Sequence, residues 1–328
     1  MAVLVTGATG FVGSWLVRRL VEQGEDVRIL VRPSTSLEDL SNLPLVACPG
    51  DVTDRESLNR AVQDVDTVFH LAGVVGYTSA MRALMEKVNV DGTRNVVEAI
   101  ANSRRPAKLI YMSSVVAVGA SFDGTPLNED SAYNVSHLNL GYFETKRAAE
   151  ILVREACSQE RLQAVMLNPS TIYGAGDAKK GSRKTQLKVA RGQLPFYTSG
   201  GVSVVSVHDI VDAVLAARTR GRSGERYILS GENITIKDLF HRIATLAGAR
   251  PPAIYLPNSV VHLLGRFGDW RERHGKSGPL SRENAWTALL FHWFDHAKAE
   301  RELGFRPRPA DQALKESVDW MKDKGMLQ

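Results

Sequence analysis

Apolar residues fall along the chain in short charge-free runs that alternate with stretches of helical period. Ala2 to Val5 has no charge, the pattern of a strand covered on both faces. Gly7, Gly10 and Gly13 follow at G-x-x-G-x-x-G spacing. Phe11 to Gln23 then places Phe11, Trp15, Val17, Leu20 and Val21 at helical intervals and stops at Gly24. Further strands are predicted over 26–31, 45–48, 66–70, 108–112 and 162–167, with helices over 54–63, 79–104 and 138–158 between them. Strand and helix alternate, so the fold class expected is α/β.

Past Leu167 the alternation breaks. Gly174 and Gly176 precede a basic run of Lys179, Lys180, Arg183, Lys184, Lys188 and Arg191. It reads as a solvated loop and helix, or as an attractor for an anionic part of a substrate. A strand over 202–207, a helix over 208–220 and a strand over 227–229 are expected to return to the first half. The stretch 254–268, with Val260, Val261, Leu263, Leu264 and Phe267, is expected to wall a pocket. Its other reading is a helix lying on a membrane surface. Residues 120–136 read as a loop able to cover a site.

The glycine spacing gains meaning from its place. A turn without Cβ atoms lets backbone approach a pyrophosphate, and the following helix offers free N–H groups and a positive dipole end. A dinucleotide is the ligand this suits. At the end of the second strand, where an acid would accept from an adenosine ribose diol, stands Arg32, followed by Pro33-Ser-Thr-Ser36. A guanidinium holds a 2′-phosphate instead, so NADP(H) is expected over NAD(H). Arg28 is a second candidate, on the opposite face of its strand. Asp51 and Val52 end the third strand, where residues commonly lie over the adenine. His70 reads as packed in a central strand. Leu71, Ala72 and Gly73 end the fourth, small enough for a cofactor to cross. Asn89 is a poor mid-helix residue, which points to a bend or a hydrogen-bonding task. Tyr142 and Lys146 stand four apart on one helix face, and an ammonium there is expected to lower the phenol pKa toward working pH. With a serine from Ser113-Ser114 at a neighbouring strand end, they make a general acid for a carbonyl oxygen beside a hydride donor.

Composition narrows the picture. The 328 residues suffice for one large α/β domain, or a nucleotide domain with a smaller lobe. The net charge of +5 suits small anionic ligands and does not call for nucleic acid. No uncharged run is long enough to span a bilayer, and no basic, apolar leader precedes the first strand, so a cytoplasmic chain is expected. Cys48 and Cys157 read as reduced thiols. His292 and His296 lack a third ligand in any metal spacing, so no metal is expected.

Together these motifs resemble the extended short-chain dehydrogenases/reductases, the NAD-dependent epimerase/dehydratase family. They run from Thr6-Gly-Ala-Thr-Gly-Phe-Val-Gly13 through Asp51-Val52, His70-Leu-Ala-Gly73, Asn89-Val-Asp-Gly-Thr93, Tyr111-Met-Ser-Ser114 and Tyr142-x-x-x-Lys146. Asn168-Pro-Ser-Thr-Ile-Tyr-Gly174 and Val207-His-Asp-Ile210 complete them. The resemblance implies a doubly wound parallel sheet of Rossmann type over 1–170, also receiving roughly 202–230. It also implies a smaller C-terminal substrate lobe over 171–201 and 231–328. It implies Ser114, Tyr142 and Lys146 as the catalytic group. It implies a cofactor on Thr6, Gly7, Thr9, Gly10, Phe11, Val12 and Gly13, with Arg32, Asp51, Val52, Leu71, Ala72, Gly73, Asn89, Tyr142, Lys146, Pro169 and Ser170. It also implies a nicotinamide held against Pro169 and Ser170. Val-Arg-Pro at the end of strand two and Gly224 to Asn233 look like the dihydroflavonol-4-reductase-like branch, which includes hopanoid-associated proteins named as sugar epimerases. Where sugar-nucleotide dehydratases carry an Asp-Glu pair, this chain has Val115-Val116. The expectation is an NADPH-dependent reductase of a small, partly apolar ketone or aldehyde, acting as a monomer or homodimer. The alternatives are a nucleotide-sugar epimerase, a 3-beta-hydroxysteroid dehydrogenase-like oxidation and a non-catalytic NADP sensor.

Overall fold

The computed structural model describes residues 2–178, 183–274 and 280–327. Its strands are β1 (Ala2–Thr6), β2 (Asp26–Val31), β3 (Leu45–Pro49), β4 (Thr67–His70), β5 (Lys108–Met112), β6 (Ala164–Pro169), β7 (Thr171–Tyr173), β8 (Phe196–Tyr197), β9 (Gly201–Ser206), β10 (Arg226–Leu229), β11 (Glu232–Thr235), β12 (Ile254–Tyr255) and β13 (Phe291–His292). The helices are α1 (Phe11–Glu22), α2 (Arg55–Ala61), α3 (Arg82–Met85), α4 (Gly92–Ala101), α5 (Gly141–Ser158), α6 (Lys184–Ala190), α7 (Val207–Arg220), α8 (Ile236–Ala247), α9 (Asn258–Arg273), α10 (Arg282–Leu289), α11 (Ala297–Leu303) and α12 (Ala310–Asp323). Seven strands form one parallel sheet in the order β10-β6-β5-β4-β1-β2-β3.

β1 shows why the sheet is covered twice. Val3 and Val5 pack with Leu16 and Leu20 of α1 and with Ile210 and Val214 of α7. Leu4, pointing the other way, packs with Leu58 of α2, Val96 and Ile100 of α4 and Val153 of α5. The chain runs outward from β1 in both directions, so the strand order reverses between β1 and β4. Ligands bind at the carboxyl ends of strands at such a reversal.

Four sequence expectations differ from the structure. The helix expected over 79–104 is interrupted by a π-helical stretch, Glu86–Asp91, which carries Asn89. One extra residue per turn there turns a side chain out of helical register. The helix expected from Leu138 starts at Gly141, because Asn139 takes a left-handed φ of 51° and stops the preceding turn. The strand near 202–207 does not join the large sheet. β9 pairs with β11, β13 and β7 in a second sheet, since β7 leaves the large sheet directly after β6 and offers it an edge; α7 and β10 do join the first half. Finally, the apolar stretch 254–268 does not wall a pocket with its large side chains. Val261, Gly265 and Gly268 are the buried face of α9, and a Cβ on Gly268 would lie 1.7 Å from the Leu280 carbonyl oxygen. Only small residues fit so close an approach, so Leu263, Phe267 and Trp270 are left outside.

Residues 120–136 are pinned at several points. Ser121 bridges to Phe291, Leu127 to Phe294, and Glu129 accepts from the Ile228 backbone N–H at 2.8 Å. Of the basic run, Lys179 and Lys180 lie outside the described residues. Arg183 is not solvated as expected: it lies over the Tyr173 ring at 4.1 Å and faces the buried Asp177. Among the described residues no helix is long and apolar enough to cross a membrane.

Candidate active site

β1 delivers the chain into the glycine turn. Gly7 has φ +74°, and a Cβ there would lie 2.7 Å from the Ala72 nitrogen, so the turn is pressed against the end of β4. A Cβ on Gly13 would lie 2.1 Å from the Gly7 carbonyl oxygen. Gly10 caps α1 with no side-chain bond, and the first turn holds no acid. Among the described residues the N–H groups of Phe11, Val12 and Gly13 have no backbone acceptor. Three free donors and a positive helix end therefore face the reversal point, a cradle that fits a pyrophosphate.

A buried relay locks the floor beneath. Thr93 donates to the Asn89 carbonyl at 2.6 Å, so its oxygen accepts from His70 Nε2 at 3.1 Å. That leaves His70 Nδ1 to accept from the Thr6 hydroxyl at 2.7 Å, and Thr6 Oγ1 to accept from the Ala72 N–H at 3.3 Å. Burial pushes the His70 pKa down to about 3, so the imidazole is neutral and structural. Asn89 performs the hydrogen-bonding task its place suggests. Its Oδ1 accepts from the Val74 N–H at 2.7 Å, and its Nδ2 donates to the Val74 carbonyl at 2.9 Å and to Thr145 Oγ1 at 3.3 Å. It thereby ties the strap after β4 to α5.

α5 carries Tyr142 and Lys146 on one face. The Tyr142 phenol lies beside the Ser114 hydroxyl, and its ring lies edge-on to that of Tyr77 with centroids 6.1 Å apart. Burial, then the neighbouring Tyr77, pushes the phenol above its ordinary pKa. Lys146 Nζ donates to the Met112 carbonyl at 2.7 Å and to the Tyr111 hydroxyl at 3.3 Å, and lies 4.8 Å from the centre of that ring. Burial brings its pKa down to about 8. The expectation that Lys146 lowers the phenol pKa is therefore corrected. The ammonium is held by a backbone carbonyl, and both groups are desolvated, which disfavours phenolate and ammonium alike.

One turn further along α5, Glu150 is buried. It accepts from the Ser113 hydroxyl at 2.5 Å, Asn168 Nδ2 at 2.6 Å and Arg226 Nη1 at 3.3 Å. Asn168 Nδ2 also reaches the Ser114 carbonyl at 2.9 Å. Glu150 thus holds the ends of β5, β6 and β10 together behind the tyrosine. At the end of β6, the Ser170 hydroxyl is buried with no partner among the described residues, beside the buried Pro169.

The remaining expected contacts lie along the same sheet edge. Arg32, just past β2, is exposed, and its side chain has no partner among the described residues, whereas Arg28 is engaged with the Gln63 carbonyl at 2.8 Å. Asp51 Oδ1 accepts from the backbone N–H and hydroxyl of Thr53, both at 2.9 Å, which shapes the turn after β3. Val52 is buried beneath it. Gly73 leaves its surroundings open: a Cβ there would meet only Asn89 Oδ1, at 3.4 Å. Glycine cradle, open strand ends, free Arg32 and the unpartnered Ser170 together fit an NAD(P) dinucleotide.

The family model described as the NAD dependent epimerase/dehydratase family matches residues 3–230. The chain belongs to that family. A protein of Synechocystis sp. named "Putative dihydroflavonol 4-reductase" is 33% identical over 98% of this chain and 95% of its own. Sterol demethylase protein B of Methylococcus capsulatus is 30% identical over the whole of both chains. The solved structure of gox2253 superposes with a TM-score of 0.88 at 34% identity, covering 100% of this chain and 99% of the other. As a member of the epimerase/dehydratase family, the chain is an NAD(P)-dependent oxidoreductase.

This family member also holds a cavity of about 290 Å³ lined by Tyr77, Arg82, Asn139, Asp269, Arg273 and Glu283, among others. Tyr77, whose ring contacts that of Tyr142, links the cavity to Tyr142 and Ser114. Tyr77, Ser79, Arg82 and Asn139 form one wall, and residues of α9 and α10 supply the opposite one. Glu150 and Tyr77 were missed. The repeat of four-residue steps from Tyr142 through Lys146 to Glu150 was a usable signal for the first; nothing in the sequence marks the second.

Proposed function

We propose that this enzyme uses NADPH to reduce a ketone or aldehyde of a small, partly apolar molecule. The observation that carries the proposal is the half-buried Tyr142 phenol, kept protonated by its surroundings and lying beside Ser114 at the end of β5. NADPH, when bound, supplies the hydride. The N–H groups of Phe11, Val12 and Gly13 would hold its pyrophosphate, with Thr6, Gly7, Thr9 and Gly10 forming the turn. Arg32 would hold the 2′-phosphate, Asp51 and Val52 the adenine. Leu71, Ala72, Gly73 and Asn89 would lie along the ribose and pyrophosphate, Pro169 and Ser170 along the nicotinamide. Tyr142 gives its proton to the carbonyl oxygen, and Ser114 donates a hydrogen bond to that oxygen as negative charge develops. Lys146 would hold the nicotinamide ribose. Segments 171–201 and 231–328 would receive the substrate.

Val115-Val116 lack the acid and base that water elimination needs, which argues against dehydration. Arg32 argues against an NAD held permanently for epimerisation. NADPH should bind roughly five- to a hundredfold more tightly than NADH, the worth of one charge-assisted phosphate contact, and Arg32→Ala should abolish the difference. Tyr142→Phe should lower turnover by at least about 10²-fold with cofactor affinity retained. Equal affinities for the two cofactors would remove Arg32 from its role. Reaction of nucleotide sugars alone, with no net cofactor consumption, would replace the reductase by an epimerase.

A further inference from the structure

The outward face of α9 is unlike the rest of the surface. Val260, Leu263, Phe267 and Trp270 are 38%, 66%, 47% and 55% exposed. At about 100° per residue they fall within an arc of roughly 80°. Phe267 and Trp270 stack with centroids 5.9 Å apart, so the stripe ends in an aromatic pair. Ile254 and Tyr255, in the strand leading into the helix, are also exposed, at 53% and 46%. Charge is arranged around the stripe rather than scattered. Arg271 flanks one side, its guanidinium against the Phe267 ring, and Arg266 and Arg273 flank the other. Asp269 and Glu272 fall toward the opposite side, and Asp269 is turned inward, accepting from the Arg282 N–H at 2.9 Å.

We propose that α9 lies in the interface of an anionic lipid bilayer, with Leu263, Phe267 and Trp270 inserted and Arg266, Arg271 and Arg273 at the headgroups. Apolar area and basic flanks are the two contributions that hold an amphipathic helix in that plane, and a tryptophan suits the boundary. Arginine stems cover apolar surface while their heads remain in water. A second copy of the chain fits this face less well. A two-fold pairing of the stripes would bring the same three arginines of both copies together, with the acids turned away. Asp269 and Arg273 also line the cavity bounded by Tyr77, so the docked face adjoins that opening. The proposal does not depend on which substrate or cofactor the enzyme takes.

The test is co-sedimentation of the full chain with vesicles of phosphatidylcholine alone and of phosphatidylcholine mixed with phosphatidylglycerol. The wild type should bind the mixed vesicles at least about tenfold more tightly than the neutral ones. The combined Leu263→Ser, Phe267→Ser and Trp270→Ser variant, and separately Arg266→Glu with Arg273→Glu, should each lose at least about tenfold. Melting curves should match wild type, because every altered side chain is exposed. Trp270→Phe provides a readout independent of any loss of stability: binding should persist while the blue shift of tryptophan emission on adding vesicles is lost. Wild type left in the supernatant with mixed vesicles overturns the proposal. So does a blue shift that survives in Trp270→Phe, or a dimer that the serine variant converts to monomer without any vesicle binding by the wild type.

Discussion

Lys146 carries a positive charge into the interior of the protein, and its cost is measurable. Its pKa falls from 10.5 to about 8 because burial penalises the ammonium. Glu150, one turn away, works in the opposite direction but does not cancel the effect. At pH 7 the lysine is charged both folded and unfolded. Each pKa unit is worth about 1.36 kcal/mol, so the folded state then carries a penalty of about 3 kcal/mol. The sign follows from proton counts. Between about pH 8 and 10.5 the unfolded chain binds the proton more tightly than the folded one. Stability from this group therefore rises with pH, and the penalty is fully present only below about pH 8. From about pH 7 to about pH 9.5 the relief amounts to about 2 kcal/mol. Lys146→Met removes the titration and keeps most of the side-chain volume. Urea unfolding of wild type and variant, followed by circular dichroism at several pH values, isolates it. Tyrosines and Lys108 titrate in both proteins and drop out of the difference. The stability of the variant relative to wild type should fall by about 2 kcal/mol across that window, as an advantage that shrinks or a deficit that grows. Curves that stay parallel within about 0.5 kcal/mol would mean that Lys146 is not held charged against burial, and the account of its environment would fail.

Gly13→Ala places a Cβ 2.1 Å from the Gly7 carbonyl oxygen, so the glycine turn must shift. NADPH affinity by fluorescence titration should fall at least about tenfold, with a lower melting temperature. Asn89→Leu removes both bonds to Val74 and should lower the unfolding free energy by about 1–3 kcal/mol, with amide exchange at Val74 faster than in wild type. Glu150→Gln leaves Arg226 facing a neutral amide and should cost about 3 kcal/mol in chemical unfolding. A variant as stable as wild type would show that the carboxylate does not hold the three strand ends together.

Local signals in the sequence were read well, and distant pairings were not. β1, the glycine turn and α1 follow one another within twenty residues, and each step has its own local cause. The same is true of Tyr142 and Lys146, which one helical turn brings together. Glu150 depends on Arg226, a strand 76 residues away, and no local pattern announces that partner. α9 shows a different limit. Its period declares an apolar stripe but not which side faces inward. The protein buries Gly265 and Gly268 because α10 and Leu280 come so close, and this proximity belongs to the tertiary structure. The phenol of Tyr142 was misjudged for a related reason: spacing places a lysine nearby, but the Met112 carbonyl decides where its nitrogen points.

The salt bridge from Glu150 to Arg226 also sets an order of events during synthesis. A nascent chain that has reached Ser170 already contains the glycine turn, Ser114, Tyr142 and Lys146. It still lacks α7, which covers α1, and β10, which brings Arg226 to the buried carboxylate. The centre is thus spelled out in the first half of the message and assembled only when the second half emerges. A ribosome-stalled chain ending before β10 should show no turnover, and one extended through α11, where Lys298 clasps Glu225 at 2.6 Å, should gain it. For this protein, carrying the side chains of the proposed site and holding them in place are separated by a long stretch of translation.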